Sequence, residues 1–131
     1  MEARPVMNMK RVRLELARDS DHPNGSRAHG YDFIAPIDDD GHIVAEDWKV
    51  MRDRCRVKRF WAGEPDAAGH IVRKPGGSWA FHYDIHGLAD GEDESGYRFD
   101  QHKFKLGEYV SIKEHDGVLR TFKVMSVVDT D

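Results

Sequence analysis

Cysteine is nearly absent from the sequence, since Cys55 is the only one among 131 residues and no internal disulfide can form. A lone thiol suits the reducing conditions of the cytoplasm. The N-terminal residues lack the apolar run of a signal peptide, and no stretch approaches the roughly 20 apolar residues of a membrane-spanning helix. We therefore expect a cytoplasmic protein without membrane contacts.

The sequence also lacks an excess of positive charge. Its 20 Lys and Arg residues are outnumbered by 24 Asp and Glu residues, and the formal net charge is −4. A basic field around the whole molecule, of the kind that attracts nucleic acids, is therefore missing. A local basic patch is still compatible with this composition.

Long disordered segments are not indicated, because 39% of the residues are hydrophobic. A chain of this length and composition can bury a core without disulfides, so we predict one domain that spans residues 1–131. Residues 1–8 are predicted to be a flexible terminus. Residues 19–30 and 89–96 are rich in Asp, Gly and Ser, and they are predicted to be mobile loops.

The most regular pattern in the chain is a strict two-residue period over residues 78–86. Its apolar members share one face of an extended chain: Trp79, Phe81, Tyr83 and Ile85. Three aromatic side chains and a β-branched one suit a half-buried sheet surface. We predict a central strand here, with its apolar face in the core.

One segment changes to a helical period. Val44, Trp48, Met51 and Cys55 recur every three or four residues, which predicts one α-helix at about residues 44–54. This stripe should pack against the sheet or close a barrel end. Cys55 ends the stripe, so we expect a buried and inert thiol.

Shorter strand patterns occupy much of the remaining sequence. They cover residues 9–17, 31–37, 55–61 and 70–74, followed by a C-terminal hairpin. In that hairpin, an odd loop keeps the apolar side chains on one face. It sets three pairs opposite each other: Ile112 with Phe122, Val110 with Val124, and Glu114 with Arg120.

Short spacings and Gly-rich turns favour an antiparallel sheet over alternating strands and helices. The fold class that we predict is mainly β, a small antiparallel barrel or rolled sheet of about six to eight strands. Its nearest architectures are SH3-like or OB-like barrels with one α-helix near residues 44–54.

Four short phrases carry a likeness to known sequences: Gly30-Tyr31-Asp32-Phe33, Arg59-Phe60-Trp61, Pro75-Gly76-Gly77-Ser78-Trp79 and Gly107-Glu108-Tyr109-Val110-Ser111-Ile112. In these phrases the chain resembles a family of small uncharacterised proteins of proteobacteria. The resemblance implies no activity, ligand or catalytic residue. The functional hypotheses therefore rest on the residues themselves.

A metal site is one hypothesis, because the polar face of the central strand holds His82, Asp84 and His86. Neighbours in this set stand roughly 7 Å apart on an extended chain. Two imidazoles and a carboxylate suit Zn²⁺ or non-haem iron, and His70 and His102 are candidate additional ligands. The alternative is the ordinary solvent face of an amphipathic strand.

A nucleic-acid or anion site is another hypothesis, because the basic residues are densest between residues 52 and 61. The candidate residues are Arg52, Arg54, Arg56, Lys58, Arg59 and Trp61. Basic side chains next to aromatic ones hold single-stranded nucleic acid on small barrels. The alternative is a solvated surface that pairs with the acidic loops.

Taken together, these patterns favour a non-catalytic binding or interaction module. It would use a barrel face and the loop at residues 19–30 to bind a partner protein or a second copy, because sheet edges need to be covered. No catalytic residues are predicted. No cofactor is predicted either, apart from a divalent metal such as Zn²⁺ in the metal-binding alternative.

Overall fold

A computed structural model describes residues 9–75, 77–83, 94–97, 103–114 and 116–130. Within these residues the chain forms eight strands, one α-helix and one short 3-10 helix. In chain order they are β1 (Met9–Leu16), β2 (Ser26–Pro36), α1 (Ala45–Met51), the 3-10 helix (Arg52–Arg54), β3 (Arg56–Trp61), β4 (Glu64–Arg73), β5 (Trp79–Tyr83), β6 (Glu94–Tyr97), β7 (Tyr109–Lys113) and β8 (Leu119–Asp129).

The strands form a closed antiparallel barrel in the order in which they occur in the chain. Each strand pairs with its sequence neighbours, and β1 also pairs with β8 over seven residue pairs, which completes the ring. The predicted fold class, a small antiparallel barrel with one helix, is confirmed. The described part of β5 and β6 shares only two residue pairs and is the shortest seam.

Aromatic side chains fill the interior of the barrel. Tyr31, Phe33, Phe81, Phe104 and Phe122 each expose at most 1% of their surface. Neighbouring rings among them lie 5.1 to 5.7 Å apart, in tilted or edge-to-face arrangements. A small barrel filled by its own side chains is a packed core rather than a channel.

The predicted central strand corresponds to β5, and the orientation of its apolar face is confirmed. Trp79, Phe81 and Tyr83 are 3%, 1% and 7% exposed. On the other face His82 is half-buried, whereas Ala80 is fully buried, so that face is less solvated than the alternation indicates. The rest of the predicted strand, residues 84–86, lies outside the described residues.

The predicted helix at residues 44–54 is confirmed as α1 and the 3-10 helix that continues it. Trp48 anchors α1 because its indole Nε1 donates to the Ile71 carbonyl at 3.0 Å. Its ring also meets that of Trp79 edge-to-face at 5.3 Å. The helix therefore packs on the end of the barrel where β2 ends and β3 begins.

Two predicted boundaries are wrong because strand pairing extends into polar sequence. Residues 26–30, predicted as part of a loop, begin β2, where Gly30 pairs with both Glu15 and Phe60. Likewise β4 begins at Glu64 rather than at His70, because a hairpin with β3 recruits the preceding polar residues. Strand partners in the fold outweigh the local preference of such residues.

The acidic loop predicted at residues 89–96 is shorter than expected, since residues 94–96 belong to β6. The remainder of that loop and the predicted flexible terminus at residues 1–8 lie outside the described residues.

The C-terminal hairpin has a loop with an odd number of residues, as predicted. The predicted strand register, however, differs from the observed one by two residues. Val110 pairs with Phe122, and Ile112 pairs with Arg120. Gly117 explains the difference: its φ of 82° is left-handed, and its N–H donates to the Glu114 carbonyl at 2.8 Å. Glycine adopts this conformation readily, which lets the chain turn so that the Glu114 N–H donates to the Val118 carbonyl at 3.0 Å.

We expect Phe81→Ala to lower the free energy of unfolding by about 3–5 kcal/mol, because the lost ring leaves a cavity in the aromatic core. His82→Ala, on the opposite face of β5, should cost less than about 1 kcal/mol. Urea denaturation followed by circular dichroism measures both. Equal small losses would mean that the faces of β5 are assigned incorrectly.

Candidate functional site

The end of the barrel opposite α1 carries a buried group of charged side chains. In a meander, consecutive connections alternate between the two ends, so the β1–β2, β3–β4 and β7–β8 hairpins share the end that lacks α1. The side chains of Tyr31, Arg59, Trp61, Glu114 and Arg120 meet at this end. We refer to these five residues as the polar end.

Glu114 is the centre of the polar end, and its side chain has no exposed surface. Its carboxylate accepts hydrogen bonds from the Tyr31 hydroxyl, from Arg59 Nε at 3.3 Å and from Arg120 Nη1. Burial alone would lower the pKa of Arg120, but the charge of Glu114 and the hydrogen bonds to it raise that pKa above its usual value. The Arg120 guanidinium is therefore charged at neutral pH.

Trp61 stacks beneath these guanidiniums at the rim. The Arg59 guanidinium carbon lies 4.2 Å from the ring centroid, and that of Arg120 lies 5.4 Å from it. The Trp61 ring also meets Phe122 edge-to-face, with the ring centroids 6.4 Å apart. Trp61 thus joins the charged rim to the aromatic core, and cation–π attraction stabilises the arrangement.

His29 completes the rim beside Trp61. Its ring meets Trp61 edge-to-face at 4.4 Å, and its Nδ1 lies 2.6 Å from Ser26 Oγ. Burial lowers the pKa of His29, and the positive charges of His22 and Arg59 lower it further. The imidazole is therefore neutral at neutral pH.

The polar end acts as a structural lock more readily than as a ligand site. Arg59 also donates to Glu64 at 3.1 Å, and Arg120 Nη1 lies 3.2 Å from Asp116. Two guanidiniums thus face three carboxylates, which leaves no excess positive charge for an anion. The network ties β2 and β3 to the β7–β8 hairpin, and such buried pairs fix a unique arrangement more than they add stability.

Part of this lock is visible in the sequence. The predicted proximity of Glu114 and Arg120 is correct, although the two interact diagonally rather than directly opposite each other. Tyr31 and Arg59 were not expected to join them, because their strands are distant in sequence. Arg59 occupies an inward position on a strand whose alternation is imperfect. That imperfect alternation is the only feature of the sequence that indicates a buried arginine.

Glu114→Ala should lower the free energy of unfolding by about 3–5 kcal/mol, because it removes the buried carboxylate that Tyr31, Arg59 and Arg120 share. Glu108→Ala is the matched control, since Glu108 is exposed and should change stability by about 0.5 kcal/mol or less. Thermal and urea denaturation give both values. Similar effects in the two variants would contradict the lock.

The basic segment predicted as a nucleic-acid or anion site is divided between the outer surface, where Arg52 and Arg56 line one pocket, and the polar end. Arg52 and Arg54 lie on the 3-10 helix and are exposed. Alternation along β3 turns Arg56 and Lys58 outward but Arg59 inward, where it is 6% exposed. Trp61 lies at the polar end, so the six residues do not form one surface.

Arg56 and Lys58 of β3 line a groove together with Arg11 of β1, which lies on the other side of β2. Arg11 of β1 pairs with Ile34 of β2, and a groove of about 270 Å³ lies on the outer wall. Its lining consists of Arg11, Asp32, Phe33, Ile34, Arg56, Val57, Lys58 and Ala68. We refer to it as the basic groove.

Charge in the basic groove is unbalanced. It contains three cations and one carboxylate, that of Asp32, which already forms an ion pair with Arg13 at 3.2 Å. Among the described residues, the side chains of Arg11 and Lys58 form no hydrogen bond or ion pair. The contribution of Arg11 could not be expected from the sequence, because it depends on the register of β1 and β3 across β2.

The predicted metal ligands are only partly described. His82 lies on the outer face of β5, half-buried and in register with His70 on β4, with the ring centroids 5.5 Å apart. Asp84, His86 and the candidate ligand His102 lie outside the described residues. In the part of the chain that is described, no group of three or more His, Cys, Asp or Glu side chains could hold a metal ion.

Cys55 is fully buried, as the sequence predicts. Burial raises the pKa of its thiol to about 11, although the charge of Arg54 opposes the shift. A raised thiol pKa means that the reactive thiolate is scarce at neutral and mildly alkaline pH. The chemistry of Cys55 is therefore that of an inert core residue.

We expect the Cys55 thiol of the folded protein to react with Ellman's reagent far more slowly than that of the urea-unfolded protein. The reason is that both exposure and ionisation are missing in the fold. Absorbance at mildly alkaline pH follows the reaction. Equal rates in the two states would show that Cys55 is accessible.

Within the described ranges, no helix is long and apolar enough to cross a membrane. Comparison with known proteins finds no match to a family model, to a curated protein or to a solved structure. The resemblance to small proteobacterial proteins stays a prediction. The residues and their geometry are thus the basis on which a function can be assigned.

Proposed function

We propose that the protein is a non-catalytic binding module that holds an acidic segment of a partner protein in the basic groove. The observation that supports this most strongly is the charge imbalance on the outer wall. The side chains of Arg11 and Lys58 form no ion pair or hydrogen bond among the described residues, in a chain whose net charge is −4. An acidic segment would supply the missing counter-charges.

The spacing of the cations fits an extended peptide. Arg56 and Lys58 are two residues apart on β3, which places them roughly 7 Å apart. Alternate side chains of an extended peptide repeat at the same interval, so two Glu residues separated by one residue could face both cations. Arg11 is on β1, which is two strand spacings from β3. It therefore stands roughly 10 Å from the row formed by Arg56 and Lys58, because neighbouring strands are about 4.8 Å apart.

The groove also has an apolar component. Ile34 is half-buried between the cations and Ala68 is exposed, whereas the side chains of Phe33 and Val57 are buried in the core beneath the groove. An apolar side chain within the acidic segment would cover Ile34 and add hydrophobic stabilisation to the ion pairs. Acidic residues around an apolar one are therefore the chemistry that the groove recognises.

A protein segment is favoured over single-stranded nucleic acid, which needs exposed aromatic rings for base stacking. The two aromatic residues of the basic segment do not offer such rings. The guanidinium of Arg13 covers Phe60 at 4.3 Å, and Trp61 lies beneath the guanidiniums of Arg59 and Arg120.

The double variant Arg11→Glu/Lys58→Glu should bind an acidic peptide at least about tenfold more weakly than the original chain, a loss of about 1.4 kcal/mol. The probe is a fluorescein-labelled peptide in which Glu and Ser alternate around one central Leu, and fluorescence anisotropy measures binding with EDTA present. The physical reason is that each reversal replaces an attractive charge by a repulsive one.

The control variant is Lys105→Glu/Lys113→Glu, which changes the net charge equally at exposed positions away from the groove. The control variant should keep the affinity of the original chain for the acidic peptide. A peptide with Gln in place of Glu should bind neither to the original chain nor to the control variant. Equal losses of peptide affinity in both double variants would show that net charge, rather than the basic groove, determines binding. Tighter binding of a single-stranded oligonucleotide than of the peptide would favour the nucleic-acid alternative.

A further inference from the structure

We infer that His70 and His82 together form a chelating site for a transition-metal dication such as Zn²⁺, Ni²⁺ or Cu²⁺ on the outer wall of the barrel. The two residues are directly opposite each other in the register of β4 and β5. Both side chains are half-buried, so solvent reaches the imidazoles. Imidazole is a ligand that suits all three metals.

The distance between the rings fits a shared ion. Their centroids are 5.5 Å apart, and the ring planes are tilted by 54°. The centroids of two imidazoles on one tetrahedral Zn²⁺ lie roughly 5 Å apart, since each Zn–N bond is about 2 Å long. Small rotations of the side chains would therefore bring one nitrogen of each ring to the same ion.

The strands beneath the pair hold it rigidly. β4 and β5 are joined over five residue pairs, and the adjacent inward residues Ile71 and Phe81 are each 1% exposed. Gly69 lets the backbones of β4 and β5 approach each other closely, because a Cβ at that position would lie 2.0 Å from the His82 carbonyl oxygen. Once one imidazole binds, the second is therefore held beside the ion at high effective concentration.

The surroundings limit the kind of metal and the strength of binding. Arg56 is in register with His70 on its other side, and its positive charge opposes a dication. Ca²⁺ and Mg²⁺ prefer oxygen ligands, which this pair does not provide. Two protein ligands leave the remaining coordination positions to water, so binding is weaker than at a four-ligand structural Zn²⁺ site.

The test is titration of the full chain, purified without a His tag, with ZnCl₂, NiCl₂ and CuCl₂ by isothermal calorimetry. His70→Asn and His82→Asn should each weaken binding at least about tenfold. The double variant should be no weaker than either single variant, because loss of one ligand already abolishes chelation. His42→Asn, at a half-buried histidine near α1, is the matched control and should bind like the original chain.

Circular dichroism of each variant checks that the barrel is intact. Unchanged affinity in either His70→Asn or His82→Asn would overturn the pair as the binding site. In particular, loss with His82→Asn alone would indicate the set of His82, Asp84 and His86. The peptide-binding assay contains EDTA, so failure of the metal site and failure of the basic groove are distinguishable.

Discussion

Closure of the barrel by pairing of β1 with β8 is the constraint on which the rest of the structure depends. In a closed sheet every second side chain must fit inside, and aromatic rings within 6 Å of one another occupy that space. A charged residue at an inward position must then find a partner, as Glu114 does with Tyr31, Arg59 and Arg120. Outward positions are free of this requirement.

This division separates two groups of charges with different roles. At the polar end, the guanidiniums of Arg59 and Arg120 contact the Glu114 carboxylate and the Trp61 ring, so their charge stabilises the arrangement of the hairpins. On the outer wall, Arg11 and Lys58 are uncompensated among the described residues. Because the interior is filled, the two proposed binding sites lie on the outer wall.

The sequence predicts those features that depend on local periodicity. The apolar face of β5 and the stripe of α1 follow from spacing alone. The basic groove could not be predicted, because Arg11 and Lys58 come together only through the register of β1, β2 and β3. Strands that begin in polar sequence, such as β2 at Ser26 and β4 at Glu64, are stabilised by their partners and leave no periodic signal.

The closed and filled barrel is tested most directly by NMR contacts between the first and last strands. Closure predicts nuclear Overhauser effects between β1 and β8, including those of Val12 with Val127 and of Leu14 with Val124. It also predicts slow amide exchange along both strands, since each is hydrogen-bonded on two sides. Absence of these contacts, together with rapid exchange in β1 and β8, would show an open sheet and contradict the assignment of the binding surfaces to the outer wall.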